Sequence, residues 1–332
     1  MVAERMMKRR DVLALGLAAL AAEPRLAFGQ SRYPERPIRL VIPFPPGGVN
    51  DAIGRPWADK MKGLLGTVIV ENQGGAGGTL GATAVARAQP DGYTIVLGGA
   101  GSHVINPIAT TRTLYDPIKD FEPISILAVT GLAIVVNPSI PARSLKEFVD
   151  HTKANASAMS YGSAGAGTMT HLAAELFKSL IGTPAIVHVP YKGMGPALTD
   201  VISGEIPMAV PNVTGEVLEL HKAGKLRMLA VTTPDRLIAA PEIPTAVEAG
   251  LQGMIAQNFT GLFAPARTPT AIVAQISQAT RTAMADREFR QLLLGSGFEP
   301  ASDSNPDKTR RFVEEEIARW TPIIKSIGLK LD

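Results

Sequence analysis

Two glycine-rich segments, residues 43–51 and residues 161–168, each follow a predicted strand and precede a predicted helix. Their glycines let an anion approach the main chain, and the amides and dipole of a helix N-terminus favour negative charge. Either segment alone is better explained as a tight connection, but one in each half of the chain favours a carboxylate or phosphate site. The candidate ligand-binding residues are Phe44, Gly47, Gly48, Val49, Asn50 and Asp51 in the first segment, and Ser163, Ala164, Gly165, Ala166, Gly167 and Thr168 in the second.

Four further polar side chains stand in loops after other predicted strands: Ser102, His103, Lys192 and Asn212. They add hydroxyl, imidazole, ammonium and amide groups to the candidate site. Lys192 is the only cation in these strand-end loops, which suits an anionic ligand, although a solvated surface lysine explains it equally well.

The common catalytic and cofactor motifs fail on inspection. Gly75, Gly77 and Gly81 are spaced one residue too long for a dinucleotide fingerprint, and Ser163 lacks the first glycine of a G-x-S-x-G elbow. The chain has no cysteine, and its five histidines show no metal-ligand spacing. His171, inside a predicted helix, fits a hydrogen-bonded structural residue better than a ligand. We therefore predict no catalytic residue, no metal, no cofactor and a protein that is not an enzyme.

The composition is that of a folded chain with room for about two domains. Its 332 residues are 45% hydrophobic and 19% charged. The formal charge is +3, and residues 1–29 contain five basic and three acidic side chains, so the remainder carries only +1. A net charge that close to zero does not attract a polyanion, which argues against nucleic acid as a partner.

Residues 1–29 have the pattern of an export signal. A basic start ends in Lys8, Arg9 and Arg10, an apolar stretch follows at residues 12–22, and small residues precede Gln30. The alternative is an amphipathic helix of the mature fold, but leucine, alanine and glycine fill every side of it. We therefore expect export to the periplasm, by the Sec route or, given the paired arginines, by the twin-arginine route.

Beyond residue 38, short β-branched runs alternate with helical stretches, which predicts an α/β fold with mainly parallel sheets flanked by helices. The glycine-rich residues 98–103 are predicted to form an unpacked loop. Apolar runs at residues 124–136 and 259–264 predict two strands that cross between two lobes. The later helices have no predicted strands between them, so they must pack on the first sheet. The predicted lobes are residues 30–130 plus 253–332 and residues 131–252, with a ligand cleft between them.

Several motifs occur in an order and spacing that point to one family. They are PFPPGG with Asp51, EN before GAGGT, PDGY, YGS with HLA, and VPYKG, within residues 43–51, 71–79, 90–93, 161–173 and 189–193. The chain from Tyr33 onward resembles the Bug receptor family, the periplasmic substrate-binding proteins of tripartite tricarboxylate transporters. This resemblance implies a two-lobed Venus-flytrap fold of the type II kind, with two crossing strands as hinge and a small organic carboxylate as ligand.

The resemblance also implies how the ligand is held. The two loops at residues 47–51 and 163–168 would grip one carboxylate, partly through water, while the rest of the cleft sets specificity. Asn50, Ala164 and Ala166 stand where the family often has serine, threonine or asparagine, and Asn258 with Phe259 replaces a segment that commonly contains tryptophan. These departures predict more gripping by backbone amides and a ligand whose distal part is less polar than an amino acid or citrate.

As partners, the resemblance implies membrane transporter subunits, and we expect the receptor to be a monomer. Two alternatives stay open: a carboxylate receptor that reports to a membrane sensor, and an exported α/β enzyme acting on a small acid. Such an enzyme would need a titratable pair in the cleft, and the loops offer only Asp51, His103 and Lys192, on three different elements.

Overall fold

The computed structural model describes residues 33–112 and 114–331, and the chain from Arg36 onward forms one compact unit. The predicted export signal, residues 1–29, lies outside the described residues. No helix in the described part of the chain is long and apolar enough to cross a membrane.

Strands and helices alternate along most of this unit. Within the described residues the strands are β1 (Ile38–Ile42), β2 (Val68–Asn72), β3 (Thr94–Gly99), β4 (Phe121–Gly131), β5 (Ala133–Val136), β6 (Ser160–Ser163), β7 (Val187–Pro190), β8 (Met208–Ala209), β9 (Arg227–Val231), β10 (Gln257–Pro265) and β11 (Glu299–Pro300). The α-helices there are α1 (Val49–Leu64), α2 (Thr79–Ala86), α3 (Asn106–Ala109), α4 (Leu145–Ala154), α5 (Met169–Ile181), α6 (Met194–Ser203), α7 (Gly215–Lys222), α8 (Thr270–Ala285), α9 (Arg287–Gly295) and α10 (Pro306–Ser326).

The strands form two sheets. The first has the order β11-β4-β10-β3-β1-β2, in which β1 pairs in parallel with β2 and β3, and β10 is antiparallel to β3 and β4. The second has the order β7-β6-β8-β5-β9, in which β6 pairs in parallel with β7 and β8, and β5 is antiparallel to β8 and β9. The α/β class and the two flanked sheets are confirmed. Each sheet is mixed, however, because β10 and β11 run against the βα units of the first sheet and β5 runs against those of the second.

The apolar run at residues 124–136 crosses between the sheets as predicted, with β4 in the first sheet and β5 in the second. The second predicted crossing strand behaves differently, because β10 pairs only within the first sheet. The chain instead returns from the second sheet to the first through residues 232–256, which lie between β9 and β10. The Ala256 amide donates to the Thr232 carbonyl there, at 2.9 Å. Where the lobes should be divided stays a prediction.

Residues 98–103 are not an unpacked loop, so that prediction is wrong. β3 continues through Gly99, and Gly101–Ile105 forms a π-helical turn whose last four residues are buried. The glycines serve close packing here. A Cβ on Gly98 would lie 2.2 Å from Cε1 of His103, and one on Gly99 would lie 2.5 Å from the carbonyl oxygen of Phe259.

Helix α1 packs closely against the first sheet because one of its core-facing positions is a glycine. Ile53, Trp57 and Met61 recur at four-residue intervals and are fully buried. Gly54 lies between Ile53 and Trp57. A Cβ at this position would be 2.7 Å from Cδ2 of Leu97 in β3 and 2.8 Å from Cδ1 of Ile42 in β1.

The helices that end the chain pack on the first sheet, as predicted from their lack of partner strands. α8 and α10 both contact β4, and the short β11 between them pairs with the same strand. The Trp57 indole N–H donates to Oγ1 of Thr280 at 3.3 Å, which joins α1 to α8. The fully buried Trp320 donates to Oε2 of Glu316 at 3.0 Å, so its polar atom is satisfied within the core.

We expect Gly54→Val to lower the free energy of unfolding by roughly 1–3 kcal/mol, because the added side chain overpacks a filled interface. The matched control is Gly63→Val in the same helix, where a Cβ would meet nothing within 4 Å. That control should change stability by less than about 0.5 kcal/mol. Urea denaturation of both variants is the measurement, and equal stabilities would contradict the close packing of α1.

Candidate ligand-binding site

The carboxyl edges of the two sheets adjoin at one point of the chain. β4 is antiparallel to β10, which is antiparallel to β3, so β4 ends at Gly131 on the edge where β1 and β3 also end. β5 is antiparallel to β8, so it begins at Ala133 on the edge where β6, β7 and β8 end. Only Leu132 separates these two strands. The loops after the parallel strands of both sheets therefore leave adjoining edges, the usual ligand position in open α/β sheets.

The first loop leads into helix α1 without a side-chain cap. Gly48 is the N-cap residue in an extended conformation, and no side chain hydrogen-bonds to the first turn. Within the described residues, the amides of Val49 and Asn50 have no acceptor, and the first bond of the turn is from Ala52 to the Gly48 carbonyl. These free N–H groups at the positive end of a 16-residue helix can hold an anion.

Asp51 braces the first loop. Its Oδ2 accepts from the Gly47 amide at 3.0 Å and from Nε of Arg55 at 2.8 Å, and its Oδ1 accepts from Nδ2 of Asn72 at 3.0 Å. The hydrogen bond from Arg55 is the main cause that lowers the pKa of Asp51 to about 2. The carboxylate is buried and fully engaged, so it fixes the loop and is not free to bind a ligand.

Asn50 and Phe44 also secure this loop to its neighbours. Nδ2 of Asn50 donates to the Leu97 carbonyl at 3.0 Å, which ties the start of α1 to β3. The half-buried ring of Phe44 lies over two glycines, since Cβ atoms on Gly78 and Gly101 would be 3.0 Å and 3.5 Å from its Cζ. Val49 points outward with 41% of its surface exposed.

Ser102 and His103 lie in the interior and not on the exposed surface of the edge. Both are 0% exposed. The Ser102 hydroxyl accepts from the Gly99 amide at 3.1 Å and contacts Nδ1 of His103 at 3.0 Å. The His103 ring stacks on Phe263 at 4.0 Å between centroids, and burial lowers its pKa to about 3. In this position a neutral His103 packs against the end of β3 from the protein interior.

The second loop, residues 163–168, is held by side-chain acceptors. The Ala164 amide donates to Oγ1 of Thr170 at 2.9 Å, and the Gly165 amide donates to Oγ of Ser163 at 3.2 Å. The Gly167 amide donates to Nδ1 of His171 at 3.2 Å. Thr168 is the N-cap of α5 and accepts from the His171 amide.

These bonds leave a defined set of free donors. Within the described residues, the amides of Ala166, Met169 and Thr170 have no acceptor. Ala166 is exposed, and Gly165 adopts a φ of +128° that suits glycine. The second edge therefore also presents unpaired N–H groups at a helix N-terminus.

Lys192 and Asn212 occupy different places on the second edge. Lys192 is exposed in the loop after β7, and that loop is tied to the second loop because the Gly193 amide donates to the Ala164 carbonyl at 3.3 Å. Asn212 follows β8 beside Leu132, and its Oδ1 accepts from Nδ2 of Asn258 in β10 at 2.7 Å. Asn212 thus joins the two sheets near the crossing point.

The sequence interpretation missed two residues that build this region, Thr170 and His188, and it did not predict the contact of Asn258 with Asn212. The His188 side chain contacts Oγ of Ser163 at 2.7 Å through Nε2. Its register partner in β6 is Tyr161, which places both rings on one face of the sheet. Only the pairing of β6 with β7 reveals this relationship, because the two residues are far apart in the sequence.

Two α/β sheets that adjoin at their carboxyl edges, each presenting unpaired amides at a helix N-terminus, define a two-lobed solute-binding protein. The chain belongs to the tripartite tricarboxylate transporter family receptors, a family that matches residues 53–329. This confirms the Bug-family resemblance. The members are substrate-binding receptors, so the alternative of an exported enzyme is wrong.

Two curated relatives from Bordetella pertussis match nearly the whole chain. One, a UPF0065 protein, is 35% identical over 98% of this chain and 98% of its own. The other, Protein BugT, is 31% identical over 97% of this chain and 98% of its own.

Solved structures agree with this fold. The periplasmic binding protein BugD is 33% identical with a TM-score of 0.72, covering 90% of this chain and 99% of its own. MatC from Rhodopseudomonas palustris, solved with bound malate, is 31% identical with a TM-score of 0.71 over 88% of this chain and 100% of its own. Rpa4515 from R. palustris, solved with adipate, is 32% identical with a TM-score of 0.74 over 90% of this chain and 99% of its own.

The low pKa of Asp51 predicts a pH-dependent contribution to stability. The pKa is lowered from 3.8 to about 2, so the stabilisation is fully present above the unfolded value and is lost as the pH falls through 2. Asp51→Asn should therefore cost about 2 kcal/mol at pH 7, a difference that shrinks below pH 4. Urea denaturation at several pH values checks this. Asp59→Asn in the same helix, at an exposed ion pair, serves as the control and should change little.

Proposed function

We propose that this protein is a periplasmic receptor that binds a small organic carboxylate between its two sheets and delivers it to the membrane subunits of a tripartite transporter. The observation that carries the proposal is the pair of adjoining sheet edges, each with unpaired amides at a helix N-terminus. Such donors suit a carboxylate, since its two oxygens can accept from both edges at once.

Two relatives support the substrate class. MatC was solved with malate and Rpa4515 with adipate, and both of these ligands are dicarboxylates. We infer that the first carboxylate lies between the start of α1 and the start of α5. A second carboxylate would be met by Lys192, the cation that stands exposed beside the second loop. The ligand is therefore a small mono- or dicarboxylate.

The predicted site residues divide by role under this proposal. The amides of Gly48, Val49, Asn50 and Ala166 would contact the carboxylate directly, together with the amides of Met169 and Thr170. Phe44, Ala164 and Gly165 would line the approach. The remaining predicted residues would not contact the ligand but would fix the conformation of the loops. They are Gly47, Asp51, Ser102, His103, Ser163, Gly167, Thr168 and Asn212.

The lobes proposed from the sequence, residues 30–130 plus 253–332 and residues 131–252, would close over the ligand about the passages near Leu132 and residues 232–256. A cleft that grips from both sides is complete only when the two sides meet. The export pattern in residues 1–29 supports delivery to the periplasm.

A thermal-shift screen of organic acids tests the ligand class. A dicarboxylate or monocarboxylate at 100 times its Kd should stabilise the protein by about 2.7 kcal/mol, which raises the Tm measurably. The uncharged amide of the same acid should produce no shift, because the anion is what the amides recognise. A shift caused only by sugars, nucleotides or metal ions would refute the proposed ligand class.

Gly48→Val should weaken binding of the identified acid by about 100-fold or more, since it blocks two charge-assisted bonds of roughly 1.5–3 kcal/mol each. The variant should still fold, because a Cβ on Gly48 meets only the Pro45 carbonyl oxygen, at 3.6 Å. Gly63→Val, at the other end of α1, is the binding control. Calorimetric titration gives the answer, and unchanged affinity in folded Gly48→Val would place the carboxylate elsewhere. Gly165→Val is a weaker test because the φ of +128° strains any side chain.

A further inference from the structure

A cluster of aromatic and charged side chains lies beneath the second loop, and the proposed carboxylate contact does not use it. The His171 and His188 rings stack with centroids 4.1 Å apart, and Tyr161 stacks on His188 at 4.8 Å. The Tyr161 hydroxyl donates to Oε1 of Glu175 at 2.5 Å, and Nζ of Lys178 lies 2.8 Å from the same oxygen. A cavity of about 460 Å³ adjoins the cluster beside the end of α10.

Both histidines help to hold amides of the second loop, one directly and the other through a serine hydroxyl. Nδ1 of His171 accepts directly from the Gly167 amide. Nε2 of His188 contacts Oγ of Ser163, and that oxygen accepts from the Gly165 amide. Two of the loop's N–H groups are thereby turned inward, and the amide between them, on Ala166, stays free within the described residues.

We propose that His171 and His188 are positioning residues for ligand binding: as a neutral stacked pair they fix residues 163–168 so that the Ala166, Met169 and Thr170 amides face the carboxylate. The proposal rests on the proposed function for its ligand. It assigns His171 a larger role than the merely structural one predicted from the sequence, because the ring holds a loop that would contact the ligand.

The role of His171 requires an unprotonated Nδ1, since a protonated nitrogen cannot accept the Gly167 amide. Burial lowers the pKa of His171, and burial with the adjacent His171 lowers that of His188 to about 4. Around the pair, Glu175 favours protonation and Lys178 opposes it, while Tyr161 contributes a neutral ring. The end of α10 and the following residues add only uncharged side chains to the cavity: Ser326, Ile327 and Leu329. Acidification that protonates Nδ1 of His171 would remove the acceptor of the Gly167 amide and release the loop.

The test compares two substitutions at one position. In His171→Asn, Oδ1 can stand where Nδ1 stood and accept the Gly167 amide, whereas His171→Leu removes the acceptor. With an acid found in the screen, affinity should fall about tenfold in His171→Leu and stay within about threefold of wild type in His171→Asn. His151→Leu and His151→Asn, at a half-buried histidine in the last turn of α4, are the matched controls and should bind as wild type.

The pH profile separates positioning from a structural role. As the pH is lowered below 6.5, the affinity of wild type should fall more steeply than that of His171→Asn, because the pKa of His171 lies below this ordinary imidazole value and asparagine does not titrate. Protonation of the ligand affects both proteins equally. Parallel profiles, or unchanged affinity in folded His171→Leu, would overturn the proposal.

Amide exchange in the ligand-free protein distinguishes this proposal from the proposed function. With ¹⁵N-glycine labelling, the Gly167 amide should exchange at least several-fold faster in His171→Leu and near the wild-type rate in His171→Asn. Unchanged exchange in His171→Leu would refute the loop-holding role whatever the ligand. If no organic acid binds wild type, the receptor function fails, and His171 then positions no carboxylate even where exchange shows that it holds the loop.

Discussion

A helix leaves its first amides without acceptors inside the helix, and the binding site proposed for this protein depends on which of these amides stay unpaired. Helices α4, α9 and α10 begin with Ser144, Asp286 and Asn305, whose side chains cap the first turn. Helices α1, α2 and α6 leave the carboxyl edges of the sheets and begin after glycines with no side-chain cap. Helices α5 and α7 also leave these edges and carry threonine caps, but the Met169 and Thr170 amides at the start of α5 still have no acceptor within the described residues. Both edges therefore keep donors that an outside acceptor could use.

The two edges support their free donors by different chemistry. On the first edge an ionised Asp51, paired with Arg55, fixes the loop before α1, and this brace persists down to low pH because the pKa is about 2. On the second edge neutral histidines do the same work for residues 163–168. Arg55 neutralises the charge of Asp51 and the histidine acceptors are uncharged, so neither edge adds net negative charge beside the proposed ligand. The cost is sensitivity to acid, since only an unprotonated imidazole nitrogen accepts an amide proton.

Sequence patterns predicted the elements well because local signals dominate them. The strand at Ile38–Ile42 and the helix at Met194–Ser203 lie where their apolar runs and flanking glycines predicted. The errors occurred where tertiary packing decides. Glycines at 98 and 99 predicted a loose loop, yet they allow close contact with His103 and Phe259. The glycine-rich loops of the site were likewise recognisable, but their supports were not, since Thr170 and His188 become neighbours of Ser163 and Ala164 only after the chain folds.

One contact beside the second loop spans both sheets, and Leu331 makes it. The Leu331 amide donates to the Ala109 carbonyl at 3.0 Å, which fixes this residue to the α3 region near the first sheet. Its side chain lies against Gly167, where a Cβ would be 2.7 Å from Cδ2 of Leu331. The Gly167 amide is also the donor that His171 accepts. Leu331 therefore links the α3 region to the residue whose amide the His171 ring accepts, and this contact would have to change in the lobe closure that we propose.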